Sequence, residues 1–285
     1  MLLRSILCAA LVLACAVVPV AGFSRTAPAR EVAYGADALQ RLDFYGAREA
    51  RSAPLVVFVH GGGWKRGDKG NATGTEKIVH LLERGYAFAS VDYRLVPAAR
   101  VEDQAQDVAD AVAWLAGHAR ELGIDPSRIV LAGHSAGAHL VALVATDPRY
   151  LAKAGLSERD LRGVVLLDGA AYDVPAQMRE GPGLMQGTYR QAFGADPARQ
   201  RTLSPTLQAA APNAASFLIL HVDREDGRRQ SEALAKALEA AGAKVELRGV
   251  EGDGLRGHMA INRQLGDPAY PATSIFDAWL DATLR

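Results

Sequence analysis

A serine, a histidine and a carboxylate held together can cleave an acyl bond, and one serine of this chain stands in a setting suited to that work. Ser135 sits in Gly133-His134-Ser135-Ala136-Gly137, a G-x-S-x-G pattern in which a tight strand-to-helix turn lifts the serine oxygen above a sheet. The flanking glycines suit a strained turn where larger side chains would collide. The surroundings agree: an apolar run at 128–131 precedes the pattern and a second apolar run at 138–146 follows it. Attack by such a serine on a carbonyl builds a negative oxygen that needs preorganised donors. His60-Gly61-Gly62-Gly63-Trp64 follows another apolar run at 55–59, and consecutive glycines leave backbone N–H groups free to approach that oxygen. The N–H of Ala136, the residue after the nucleophile, is the expected second donor.

The serine needs a base and the base needs an acid. In chains built around this turn they follow in the order serine, acid, histidine. Of the seven histidines, only His258 follows Asp223 and is expected in a loop after the last strand, so it is the expected base. His60 is read as a brace of the glycine loop, and His134 and His139 as packing or hydrogen-bonding groups beside the serine. Three carboxylates, Asp223, Glu225 and Asp226, follow an apolar run at 217–222. The acid must hold the imidazole from a buried place near a strand end. Asp223, first off the strand, is the expected acid, and Asp226 stays open as the alternative.

These residues need a frame to converge, and the chain alternates short β-rich runs with longer helical patterns, the mark of a mostly parallel sheet with crossover helices. Strands are expected at 55–59, 86–91, 128–131, 164–167, 217–222 and 245–247, and helices at 101–122, 138–146, 231–241 and 275–284. The stretch 172–213 fits neither pattern and reads as an insertion covering the site.

The chain has 285 residues, 49% hydrophobic and 22% charged, enough for a large core. Lys+Arg and Asp+Glu balance at 32 each, which argues against a nucleic-acid-binding surface. Residues 1–22 have one charge, Arg4, then an apolar run ending in Val20-Ala21-Gly22. That is the form of a cleaved secretory signal peptide, too short to span a bilayer, so a secreted or periplasmic protein without stable membrane insertion is expected. Val12-Leu13-Ala14-Cys15 loosely resembles a lipoprotein cleavage box, which leaves anchoring at Cys15 as a minor alternative. Both cysteines, Cys8 and Cys15, fall in this segment, so residues 23–285, read as a single domain, offer no disulfide and no thiolate.

Taken together, His60–Trp64 with Arg66-Gly67-Asp68-Lys69, then Asp92-Tyr93-Arg94-Leu95, then Gly133–His139, resemble the carboxylesterase group of α/β hydrolases. That group includes hormone-sensitive-lipase-like esterases, feruloyl-esterase-like proteins and kynurenine formamidases. The resemblance covers about residues 38 to 285 and implies an α/β-hydrolase fold with Ser135, Asp223 and His258 as triad and Gly62, Gly63 and Ala136 as oxyanion donors. It implies hydrolysis of small carboxylic esters through an acyl-enzyme, with no metal or cofactor. The group usually has a glycine-containing turn between strand and acid, whereas His221-Val222-Asp223 is compact. An arylformamidase-type amide hydrolase is the alternative activity, and a catalytically silent binding module the alternative class.

Overall fold

The computed structural model describes residues 29–47, 52–70, 72–210 and 212–284; the leader segment and Cys15 lie outside them. The strands, in chain order, are β1 (Arg30–Ala33), β2 (Arg41–Tyr45), β3 (Ala53–Val59), β4 (Ala87–Val91), β5 (Ile124–His134), β6 (Gly163–Leu167), β7 (Ser216–Asp223) and β8 (Lys244–Asp253). They form one sheet in the order β1-β2-β4-β3-β5-β6-β7-β8. From β4 through β8 neighbours are parallel, while β1 and β2 run antiparallel at one edge. Those two edge strands carry no continuous apolar run, and β2 buries alternate residues only, so composition alone does not announce them.

The central parallel strands, β3 to β7, are apolar on both sides because both sides are covered, while β8 at the edge is mostly exposed. Val57, Leu131, Val164, Leu166 and Ile219 pack in one layer with helices Val101–Gly117 and Ala136–Thr146. Val56, Phe58, Val130, Val165 and Leu218 pack in the other, with helices Thr75–Glu83 and Pro271–Thr283. Each Val, Leu or Ile fully buried this way contributes on the order of 2 kcal/mol, enough for the two layers to fix the register in which the strand ends meet.

Residues between β6 and β7 form four helices, Val174–Glu180, Gln186–Phe193, Pro197–Thr202 and Pro205–Gln208. Asp173 and Asp196 start two of them, their carboxylates accepting from the N–H groups of Ala176 and Ala198 with a proline in the first turn, a standard helix start. Tyr189 and Phe193, one turn apart, bring this segment onto the indole of Trp64, with ring centroids 6.2 and 4.8 Å away. No helix among the described residues is long and apolar enough to cross a membrane.

Candidate active site

Ser135 caps the helix Ala136–Thr146 directly after β5, with φ 55° and ψ −119°. Few residues adopt that conformation, and it costs on the order of 1–3 kcal/mol. Close packing enforces it: a Cβ on Gly137 would come within 2.2 Å of the Val59 carbonyl oxygen, and one on Gly133 within 2.5 Å of the Gly137 oxygen. The Ser135 N–H donates to the Leu167 carbonyl at 3.0 Å, so the turn is anchored to the end of β6. Among the described residues, the non-glycine positions with positive φ are Trp64, Ser135, Asp168 and Ala171. They cluster where β3, β5 and β6 end, and local backbone strain gathers at functional sites.

The glycine loop turns over the end of β3. Gly62 has φ 129°, and a Cβ there would lie 1.9 Å from the Arg66 carbonyl oxygen, so no other residue fits. The N–H groups of Gly62 and Gly63 donate to no described residue, and the Ala136 N–H, first in its helix, has no intrahelical acceptor. Three donors are thereby left near Ser135.

Buried groups hold the loop rigid. The Trp64 indole N–H donates to His139 Nδ1 at 3.2 Å, and His139 Nε2 donates to the Leu203 carbonyl at 2.9 Å. That arrangement requires neutral His139, and burial pushes its pKa down to about 4. His60 stacks on Tyr93 at 4.5 Å, and the Tyr93 hydroxyl donates to the His60 carbonyl at 3.0 Å. Asp92 accepts from the Lys69 N–H, and Arg94 forks onto the buried Asp107 carboxylate. The Asp92-Tyr93-Arg94 run is therefore scaffolding for the loop.

His258 lies in the first half of the helix Gly254–Arg263, and its Nδ1 donates to Asp168 Oδ2 at 2.6 Å. Asp168 is fully buried, the residue after β6, with φ 42°. Its other oxygen accepts from the Val222 N–H at 3.1 Å, and Arg224 Nε donates to Oδ2 at 2.9 Å. Burial alone would raise the Asp168 carboxyl, but the His258 hydrogen bond and the Arg224 charge outweigh it and hold the pKa below the usual value. His134 donates from Nε2 to the His258 carbonyl at 2.8 Å, its ring 4.5 Å from the His258 ring. Burial, with the neighbouring His258 ring, drives the His134 pKa down, which suits a neutral spacer. At the far end of the same helix, Lys77, itself buried, donates to the carbonyls of Thr73 and Asn262 and to Asn262 Oδ1. Burial pushes the Lys77 pKa down to about 7, and its contacts tie the His258 helix to the segment before helix Thr75–Glu83.

Two cavities meet at Ser135 and His258. One of about 430 Å³ runs along the glycine loop to Met259, Asn262 and Arg263. The other, about 550 Å³, is bounded by Trp64, Ala136, Pro182, Leu184, Tyr189 and Leu255. Leu184 and Leu255 are 96% and 74% exposed, so the second cavity opens through an apolar rim.

The BD-FAE family model matches residues 42–156, a span that holds the glycine loop and the Ser135 turn. The esterase LipC of Mycobacterium tuberculosis is 32% identical over 207 residues, covering 69% of this chain and 51% of its own length. The carboxylic ester hydrolase LipN of the same organism is 31% identical over 211 residues, covering 69% and 55%. Esterase 2 of Thermogutta terrifontis superposes with a TM-score of 0.70 at 25% identity, covering 89% of this chain and 94% of that one. The chain has the α/β-hydrolase fold and is similar to carboxylesterases of that fold. It spans about half the length of these curated mycobacterial relatives.

In this α/β hydrolase the residues expected from sequence mostly converge. Ser135, His258, Gly62 and Gly63 line one cavity, and Ala136 joins Ser135, Gly63 and His258 in the other. Two expectations need correction. His258 stands on a helix, not in a loop. Asp223 is exposed at the end of β7 and does not touch His258; Asp168 holds that place. The pleat explains it: β7 runs three residues past Leu220, the residue level with Leu167. At about 3.3 Å per residue this carries Asp223 past the histidine, with Val222 facing in and Asp223 out. The alternative, Asp226, is not the partner of His258 either. It lies in the first turn of helix Glu225–Ala240, 3.4 Å from Arg224 Nη1 and accepting from Gln177 at 3.3 Å. Sequence did hold a signal for Asp168: it directly follows a wholly apolar strand, precedes Gly169, and falls between Ser135 and His258.

Proposed function

We propose that the chain is a serine carboxylesterase with Ser135 as nucleophile, His258 as base and Asp168 as the acid that orients it. The observation that carries this reading is the 2.6 Å bond from His258 Nδ1 to buried Asp168. That bond leaves Nε2 as the free nitrogen of a ring lining the same cavities as the strained Ser135. In this scheme His258 accepts the Ser135 proton as Oγ attacks the ester carbonyl carbon. The carbonyl electron pair moves to oxygen, where the N–H groups of Gly62, Gly63 and Ala136 receive it. Collapse expels the alcohol, which takes the proton from His258, and water then releases the acid by the same steps. Asp168 stays ionised throughout, stabilising the imidazolium.

The names of the similar proteins, esterase and carboxylic ester hydrolase, support this class. The apolar rim favours an ester with one hydrophobic half, and segment 172–213, which supplies Pro182, Leu184 and Tyr189, acts as a small cap. Ser135→Ala should lower turnover of a p-nitrophenyl ester by at least ~10³-fold and abolish labelling by a fluorophosphonate. A variant that keeps a tenth of the rate overturns the assignment. We also propose export through cleavage of residues 1–22; intact mass of the protein secreted from a bacterial host tests it, and a mass retaining those residues, or a diacylglycerol on Cys15, refutes it.

A further inference from the structure

The two cavities beside Ser135 differ in charge. The larger is balanced: Arg224 is engaged by Asp168 and Asp226, and Glu225 lines the same wall. The smaller is lined by Lys65, Arg263 and Arg66, the last of which also borders the larger, and by no carboxylate. None of the three forms an ion pair among the described residues. Other basic side chains are matched by carboxylates, Lys69 by Glu31 and Asp43, Arg94 by Asp107 and Arg199 by Glu102. The chain as a whole carries equal numbers of basic and acidic residues, so this is a local excess. Its members come from two elements that build the reaction centre: Lys65 and Arg66 continue the glycine loop, and Arg263 ends the His258 helix. A cleft lined by one sign of charge concentrates the field and favours the opposite charge.

We propose that the substrate is an ester carrying an anionic group, in the simplest case a carboxylate, on the half lodged in the smaller cavity, with its apolar half in the larger. This rests on the serine-esterase reading and narrows it. Arg66 and Arg263 are exposed, so the attraction acts through partly aqueous surroundings and is open to screening by salt. A preference on the order of tenfold is expected, because charges at a wet rim interact weakly one by one.

The test compares kcat/KM for esters matched except for charge: monoethyl adipate against ethyl hexanoate for the acyl half, and 4-acetoxybenzoate against its methyl ester for the alcohol half. At low ionic strength one anionic member should be preferred about tenfold, and that ratio should fall toward unity in about 0.5 M NaCl. The variant combining Lys65→Gln, Arg66→Gln and Arg263→Gln should lose the preference, while Arg120→Gln, which alters a charge on a helix that does not line the cavity, should keep it. Neutral esters cleaved as well as both anionic ones, or a preference untouched by salt, overturn this inference alone. No turnover of any of the four esters, with no fluorophosphonate labelling of Ser135, overturns the esterase reading itself.

Discussion

Strands β6 and β7 lie side by side, run parallel, are apolar along their lengths, and each delivers an aspartate at its C-terminal end. The aspartates differ completely in circumstance. Asp168 is fully buried, turned by a left-handed backbone, and bonded to His258, Val222 and Arg224. Asp223 is exposed and pairs in register with Asp253 on β8. The difference comes from strand length. β6 stops level with the Ser135 turn, whose N–H bonds its last residue, so the next side chain enters the site. β7 continues, and its neighbouring backbone and Arg224 serve the Asp168 carboxylate instead. A carboxylate becomes useful here by where its strand stops, with its neighbours supplying the partners that keep it ionised in a buried place.

The sharpest way to break this contrast is to neutralise each aspartate in turn. Asp168→Asn should cut kcat by up to about 10⁴, about 5.5 kcal/mol of transition-state stabilisation, because an amide favours the wrong imidazole tautomer. Asp223→Asn should cost less than about threefold, as expected of a solvent-facing charge. Turnover of a short-chain p-nitrophenyl ester, beside circular dichroism to confirm folding, measures both, and a reversed ranking would return the acid to β7.

Arg224 links the two strands, standing just past β7 while charging the site behind β6. Arg224→Ala should lower kcat by about tenfold and move the acidic limb of the pH–rate profile upward. The sign follows from the direction of the shift. Asp168 titrates below the usual carboxylate value, so its contribution to stability is complete above the unfolded value and is lost as pH falls through the folded one. Without the guanidinium that folded value rises, and both activity and thermal stability should fail at a higher pH than in the wild type. An acidic limb that does not move would mean Arg224 is merely structural.

Gly227 offers a milder probe. A Cβ there would lie 2.9 Å from Arg224 Nη2 and 3.2 Å from Asp168 Oδ1, so Gly227→Ala should push the guanidinium aside. Because the guanidinium is the end of a flexible side chain, the loss in kcat/KM should be only about two- to fivefold. Smallest of all, Asp226→Asn should change kcat by less than about twofold while removing the second charge that steadies Arg224. A larger effect of Asp226→Asn than of Gly227→Ala would show that the Arg224–Asp226 contact matters more to the site than the space around Arg224.

Much of this molecule was legible in the order of its residues. Ser135 and the Gly62–Gly63 loop announce themselves because a strained turn and a close backbone approach tolerate few residue types, so local sequence must carry them. The strands from β3 to β7 are legible because burial on both faces demands apolar runs, whereas β8, at the opposite edge of the sheet, is mostly exposed and shows only a short apolar signal. The edge strands β1 and β2 are less so, since half-buried pairs leave a weak alternation. His258 could be found by elimination, though its helix could not. The acid was legible as one of several candidates, not as a choice between them. Asp168 and Asp223 each follow an apolar strand and precede His258, and nothing along the chain states where β6 and β7 end relative to the Ser135 turn. That depends on hydrogen-bonded register across three neighbouring strands and on the layers packed against them, which only the tertiary structure decided.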